Sequence, residues 1–128
     1  MNVQEAVLEF HQRFGLPIGT TPSLNVGITT HRLRHSLIAE ELSEFLEACT
    51  RDDLVGVADA LGDLAYVVYG AAVTYGIDLD TVVAEIHRSN MTKLGGDGKP
   101  LRREDGKILK GPSYESPHLK PILEAQKP

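Results

Sequence analysis

The stretch LVGVADALGDLAYVVYGAAVTYGI, residues 54–77, decides the fold because its length and apolar composition predict a long helix with only two charged side chains. These are Asp59 and Asp63, which stand four residues apart and therefore share one helical face. A buried carboxylate is costly unless it is paired, hydrogen-bonded or bound to a metal ion. The two aspartates therefore indicate either a cation site or a polar crossing between helices.

A second acidic cluster precedes this helix, in the sequence EELSE at residues 40–44. Glu40, Glu41 and Glu44 share a helical face, and no lysine or arginine occurs from residue 35 to residue 50 to offset their charge. Taken alone, the cluster fits a solvated acidic face equally well. Together with the aspartates it predicts a divalent-cation site between two helices, and carboxylate oxygens favour Mg²⁺ or Mn²⁺ over zinc.

The remaining sequence predicts an all-α domain. Apolar periodicity indicates four helices, over residues 2–14, 30–49, 51–75 and 78–90. Thr50 is the expected N-cap of the third helix and Gly76 its expected end. The sequence PLRREDGKILKG, at residues 100–111, predicts a short hairpin around its Asp-Gly pair. We expect a helical core, residues 1–93, and a C-terminal arm, residues 94–128, within a single domain.

Composition excludes several classes of function. The net charge of −5 is opposite to the basic footprint of a nucleic-acid-binding protein. A single cysteine, Cys49, excludes an internal disulfide framework, and we expect its thiol to be buried. Two aspartates and three interior glycines argue against a membrane span at residues 54–77. We expect a cytoplasmic protein that binds neither nucleic acid nor membrane, and a small bundle that covers its apolar helices by dimerising.

The acidic pattern indicates metal-assisted hydrolysis of a phosphoanhydride, with one glutamate acting as general base. It also resembles the all-α nucleoside triphosphate pyrophosphohydrolase superfamily, which includes MazG, dimeric dUTPases and phosphoribosyl-ATP pyrophosphohydrolase. The superfamily hallmark is E-x-x-E on one helix, followed by E-x-x-D on the next. Residues 40–44 match the first half and Asp63 ends the second half. Ala60 stands where the superfamily has glutamate, and Asp59 is the candidate replacement.

The resemblance continues through HRSNMTKLGGDGKPLRREDGKILKGPSY, residues 87–114, which is similar to the C-terminal signature of a MazG-like, bacterial dUTPase-like subgroup. It implies a four-helix MazG-like bundle, assembled as a homodimer or a dimer of dimers. It also implies a Mg²⁺- or Mn²⁺-dependent enzyme that cleaves a nucleoside triphosphate between the α- and β-phosphates. dUTP is the expected substrate. The alternatives are other canonical or non-canonical triphosphates, or a helical metal-binding or assembly protein without turnover.

Individual residues are expected to act as metal ligands, as catalytic carboxylates or in substrate binding. The predicted metal ligands are Glu41, Glu44, Asp59 and Asp63. The predicted catalytic carboxylates are Glu40, as the base, and Glu41. Two groups of residues are implied to bind the substrate, the first at the phosphates or sugar and the second at the base: Asn90, Lys93, Lys110 and Tyr114, then His11 and Phe14. A structural histidine and a solvated polar hairpin are the alternatives for these substrate residues.

Overall fold

A computed structural model describes residues 1–126, which form five helices and one two-stranded antiparallel hairpin. In chain order the elements are α1 (Val3–Phe14), α2 (Ile28–Thr50), α3 (Leu54–Tyr75), α4 (Leu79–Met91), β1 (Leu101–Arg102), β2 (Ile108–Leu109) and α5 (Leu119–Ala125). The chain divides into two compact units, residues 1–79 with Gln126 and residues 80–125. The predicted all-α class is confirmed. The hairpin occurs where it was expected, whereas α5 is a fifth helix that the sequence pattern did not indicate.

In the first unit, α1 and α2 both pack against α3. The contact between α2 and α3 uses small residues, since Ala48 of α2 and Ala60 of α3 are each only 2% exposed. A Cβ atom built on Gly56 would lie 3.1 Å from the Cβ of Ala48, so the two helices approach closely at this end. Close approach through small side chains fixes which residues of α2 face which residues of α3.

A capping hydrogen bond and a left-handed glycine determine where α3 begins and ends. Its N-cap is Asp53, whose Oδ1 accepts the backbone N–H of Gly56 at 2.9 Å. The prediction of Thr50 as this cap is wrong, because Thr50 ends α2 and its hydroxyl donates to the carbonyl of Glu47 at 2.8 Å. The predicted end at Gly76 is confirmed: its φ of 72° lies in the left-handed region that glycine adopts most readily.

Two predictions from the sequence concern exposure: burial of the Cys49 thiol on α2, and the absence of a membrane span at residues 54–77, which include α3. Cys49 is exposed, so the prediction of a buried thiol is wrong; its neighbour Ala48 occupies the buried position instead. The helix Leu54–Tyr75 is long and apolar enough to cross a membrane by length and composition alone, a test that core helices of soluble proteins also pass. Only 11% of its most apolar window is buried in the single chain. Much apolar surface of α3 is therefore left uncovered by this chain.

The second unit is held together by polar contacts between α4 and the segment that leads into α5. Arg88 donates two hydrogen bonds to the carboxylate of Glu85, at 2.7 and 2.9 Å. The backbone N–H of His118 donates to the same carboxylate at 2.7 Å. These bonds lower the pKa of Glu85 to about 2. The buried hydroxyl of Ser89 donates to the carbonyl of Glu115 at 2.7 Å, which fastens the arm to α4.

Two glycine substitutions test the C-terminal end and the middle of α3. Gly76→Ala should lower the free energy of unfolding by about 1–2 kcal/mol or more, because alanine is strained at positive φ and its Cβ would meet the carbonyl of Thr21. Gly62→Ala should raise it by about 0.5–1 kcal/mol, since nothing lies within 4 Å of a Cβ built there. Urea unfolding measures both values. A stabilising Gly76→Ala would contradict the left-handed helix end.

Candidate metal and substrate site

Three of the predicted acidic residues form one compact group between α2 and α3. Glu41, Glu44 and Asp63 each offer one carboxylate oxygen, and these oxygens all lie within 4.8 Å of one another. Glu41 and Glu44 share a face of α2 because they are three residues apart. The packing of α2 on α3 places Asp63 opposite them. We call these three residues the carboxylate group.

Glu41 is the least stabilised member of the carboxylate group. Its Oε2 atom is buried and has no hydrogen-bond partner among residues 1–126. Burial raises the pKa of Glu41, and the adjacent Glu44 raises it further, followed by Asp63 and Asp59. A buried oxygen without a partner, beside other carboxylates, is stabilised by a nearby cation. The all-oxygen donor set therefore fits Mg²⁺ or Mn²⁺.

The remaining predicted acidic residues lie outside the carboxylate group. Asp59 is exposed and lines a cleft of about 250 Å³ together with Glu44 and Arg51. Glu40 is exposed on α2 and directly precedes Glu41 in the chain. Ala60, which stands at the position of the superfamily glutamate, is buried in the contact between α2 and α3. A glutamate at that position would therefore lie in the contact between the two helices.

The substrate residues predicted in the C-terminal part lie in the second unit. Asn90 is exposed near the end of α4, and Lys93 is half-buried in the turn that follows. The backbone N–H of Lys93 donates to the carbonyl of Asn90 at 3.1 Å. Lys110 and Tyr114 are brought together, with the Lys110 ammonium 4.8 Å from the centroid of the Tyr114 ring. That distance is within the range of a cation–π interaction.

Phe14, predicted to contact the base, belongs to an aromatic group on α1 and α3. The ring centroids of Phe10 and Phe14 are 4.4 Å apart, and Tyr66 meets Phe10 edge-on at 5.6 Å. Tyr66 lies three residues after Asp63, so α3 carries the aromatic group one turn beyond the carboxylate group. Tyr66 was not among the predicted residues, although its three-residue spacing from Asp63 is a signal for it.

His11 and Arg34 form a buried polar pair in the first unit. His11 is 2% exposed, and its Nδ1 atom lies 2.9 Å from the carbonyl oxygen of Pro17. A Cβ atom built on Gly70 would lie 2.6 Å from Nη2 of Arg34 and 3.3 Å from Nε2 of His11. The glycine therefore leaves room for the guanidinium beside the imidazole. The prediction that His11 contacts the base stays a prediction.

Arg34 is the second residue that the sequence analysis missed. It is 7% exposed, and its Nε atom has no hydrogen-bond partner among residues 1–126. Burial lowers the pKa of Arg34, and the nearby Tyr75 acts in the opposite direction. Burying an ion without a partner costs on the order of several kcal/mol. The available signal was the spacing of Arg34, which precedes Glu41 by seven residues and so lies on the same face of α2.

The match with known families covers most of the first unit and α4. Residues 7–90 match the family of phosphoribosyl-ATP pyrophosphohydrolase. The chain belongs to this family. The matched stretch contains the whole carboxylate group, as well as His11 and Arg34. Membership of the phosphoribosyl-ATP pyrophosphohydrolase family confirms the resemblance drawn from the acidic motifs.

Two further proteins are similar to this family member. A candidate NTP pyrophosphohydrolase from Exiguobacterium sp. 255-15 has a crystal structure that matches with a TM-score of 0.50 and 26% sequence identity. The match covers 98% of this chain and 94% of that one. An uncharacterised protein of Acanthamoeba polyphaga mimivirus is 39% identical over 115 residues, which is 88% of this chain. The chain spans 43% of the length of that curated relative.

The raised pKa of Glu41 predicts how Glu41→Gln changes the stability of the metal-free protein. The difference in stability between the variant and the unchanged protein should depend on pH. The unfolded chain releases the proton near the usual pKa of 4.5, whereas the folded chain holds it to higher pH. The unchanged protein therefore loses stability as the pH rises above this value. Glu41→Gln should avoid that loss and be the more stable protein at pH 7 in EDTA. Urea unfolding at pH 4 and pH 7 measures the difference, and a difference independent of pH would contradict the shift.

Proposed function

We propose that the chain is a Mg²⁺- or Mn²⁺-dependent pyrophosphohydrolase that cleaves a nucleoside triphosphate into a nucleoside monophosphate and pyrophosphate. The carboxylate group carries the proposal, because its buried, unpartnered oxygen on Glu41 suits a hard cation. Family membership over residues 7–90 supports a pyrophosphohydrolase. dUTP is the substrate to test first, and other canonical or non-canonical triphosphates are the second candidates.

The residues of the carboxylate group would hold the ion, and Asp59, which lines a cleft together with Glu44, would assist them. When bound, such an ion neutralises phosphate charge and makes a bound water more acidic. Glu40 is exposed and directly precedes Glu41 in the chain, and an exposed carboxylate can accept the proton of an attacking water. We assign Glu40 the role of general base for this reason.

The remaining substrate contacts follow from the chemistry of the side chains. We propose that Lys93 and Lys110 contact the phosphates, since lysine ammonium groups bind phosphate as point charges. Asn90 and Tyr114 can donate hydrogen bonds to the phosphates or the sugar. Phe14, together with the aromatic residues around it, offers a surface on which a base can stack.

We also propose that the chain acts as a cytoplasmic homodimer, or as a dimer of dimers, whose ligand is a nucleotide and not a nucleic acid or a membrane. Large apolar residues of α2 and α3 are 49–81% exposed in the single chain: Leu42, Leu46, Leu54, Val55 and Leu61. Apolar surface of this extent on two packed helices is typical of a protein interface. A second copy of the chain would cover it.

Incubating the purified protein with Mg²⁺ and dUTP should release pyrophosphate and dUMP, and EDTA should stop the reaction. Asp63→Asn should lower kcat/KM roughly a hundredfold or more, since it removes charge where the ion binds. Glu9→Gln is the matched control, because Glu9 is an exposed carboxylate on α1 that pairs with Arg13, and it should keep full activity. No pyrophosphate from any triphosphate, or orthophosphate as the first product, would contradict the proposal.

The oligomeric state provides a separate test. Replacing Leu46 and Val55 together by lysine should convert the dimer to a monomer, because two charges would be buried at the interface. Leu24→Lys is the control: Leu24 is 74% exposed but lies in the loop between α1 and α2. Analytical ultracentrifugation measures the masses. A monomeric unchanged protein, or a double variant that stays dimeric, would count against this interface.

A further inference from the structure

We propose that Arg51 binds the terminal phosphate of the substrate and makes the chain prefer nucleoside triphosphates over nucleoside diphosphates. The site is the cleft of about 250 Å³ that Arg51 lines together with Glu44 of the carboxylate group. This inference rests on the proposed function. It deepens that function by naming a residue that distinguishes substrates by the length of their phosphate chain.

The cleft begins at the carboxylate group and ends at the turn between α2 and α3. Glu44 belongs both to the carboxylate group and to the lining of the cleft. On the side of α2, the lining follows one helical face from Glu44 through Glu47 to Arg51, the residue after the helix. Glu44 and Arg51 are seven residues apart, which is about 10 Å along the helix. The cleft therefore has room for a group that is anchored at the ion and extends away from it.

The aromatic group indicates the direction in which a substrate would lie. Tyr66 follows Asp63 by three residues along α3, whereas Asp59 and Gly56 of the cleft precede Asp63 by four and seven residues. The aromatic group and the cleft therefore lie on opposite sides of Asp63 along the helix. A nucleotide whose base stacks on the aromatic rings, and whose phosphates meet the ion, would extend its outer phosphates into the cleft.

Arg51 is the cation that this cleft offers to a phosphate. It is the only basic residue among the described residues that line the cleft, and none of the ion pairs within residues 1–126 involves it. Arg51 is also exposed, so a ligand can reach it. A guanidinium binds phosphate oxygens through two parallel hydrogen bonds and keeps its charge at physiological pH. Its charge is therefore available to a phosphate that enters the cleft.

Backbone hydrogen bonds hold the turn that carries Arg51. The N–H of Arg51 donates to the carbonyl of Glu47 at 3.1 Å, and the N–H of Asp53 donates to the carbonyl of Ala48 at 3.0 Å. Between them, Asp52 has a φ of 52°, the one positive φ outside glycine among residues 1–126. That conformation is unfavourable for aspartate and persists where the surrounding structure imposes it. The turn therefore fixes the position from which the Arg51 side chain extends.

The carboxylates of the cleft make binding of a phosphate chain depend on the ion. Glu44, Glu47 and Asp59 would repel a phosphate in the metal-free protein. A divalent ion at the carboxylate group offsets this repulsion, and Arg51 then adds attraction at the far end of the cleft. A diphosphate is shorter than a triphosphate by one phosphate, so a diphosphate held at the same ion would extend less far towards Arg51. The guanidinium therefore stabilises the longer chain.

The test compares dUTP with dUDP, and dGTP with dGDP, in the presence of Mg²⁺. The unchanged protein should have a higher kcat/KM for each triphosphate, which yields pyrophosphate, than for the diphosphate, which yields orthophosphate. Arg51→Met should reduce each ratio about tenfold, the worth of a hydrogen bond to a charged group, by lowering kcat/KM for the triphosphates alone. Arg51→Lys keeps the charge without the planar fork and should retain part of the ratio. Arg32→Met, which replaces an exposed arginine on α2, is the matched control and should keep both ratios.

A purely structural role of Arg51 would give a different result. Because Arg51 is exposed, Arg51→Met should leave the melting temperature nearly unchanged. A variant that melts at a clearly lower temperature and loses activity on triphosphates and diphosphates by the same factor would overturn the proposal. Ratios that stay the same in Arg51→Met would overturn it as well.

The proposed function and this inference can fail separately. If no triphosphate yields pyrophosphate, the proposed function is wrong, and the cleft is then tested by binding; the same measurement applies if diphosphates are not hydrolysed at all. At equal free Mg²⁺, pyrophosphate should raise the melting temperature of the unchanged protein more than orthophosphate does. Arg51→Met should remove most of this difference. A protein that hydrolyses diphosphates as well as triphosphates, or an Arg51→Met variant that keeps the effect of pyrophosphate, would overturn the inference alone.

Discussion

The close packing of α2 against α3 is the constraint on which the rest of the molecule depends. Ala48 and Ala60 are buried between the helices, and a Cβ atom built on Gly56 would lie 3.1 Å from that of Ala48. Helices that meet through such small residues cannot shift along each other without a clash. The same register therefore holds over their whole length. It places Glu41 opposite Asp63 at one level and Arg34 against Gly70 two turns further on.

The register keeps two opposite charges apart, on half-buried Glu41 and buried Arg34. Glu41 and Arg34 are seven residues apart, about 10 Å along α2, which is too far for an ion pair. Each has a buried polar atom without a partner among residues 1–126. Unpaired buried charges destabilise a fold, and proteins keep them where a ligand supplies the missing partner. For Glu41, the proposed cation would supply that partner.

Sequence patterns predicted the all-α class. They also predicted the part of the candidate site that depends on the spacing of residues within one helix. Three- and four-residue intervals predicted that Glu41 and Glu44 share a face, and the apolar surroundings marked Asp63. The cap of α3 was missed because Thr50 and Asp53 are both good caps, and only the fold decides between them. Arg34 was missed for a related reason. Its seven-residue spacing from Glu41 places Arg34 on the same face of α2, but its burial follows only from the opposing glycine on α3.

The loop between α1 and α2 has a consequence for the hydrogen bonding of buried His11. Its backbone is tied to the end of α3, where the N–H groups of Gly19 and Ser23 donate to the carbonyls of Val73 and Tyr75 at 2.8 and 2.9 Å. This anchoring holds the carbonyl that decides which nitrogen of His11 carries the hydrogen. A loop that presented a donor there would turn Nε2 from acceptor to donor. Remodelling a surface loop can therefore change the hydrogen-bonding character of a buried imidazole, while His11 itself stays the same.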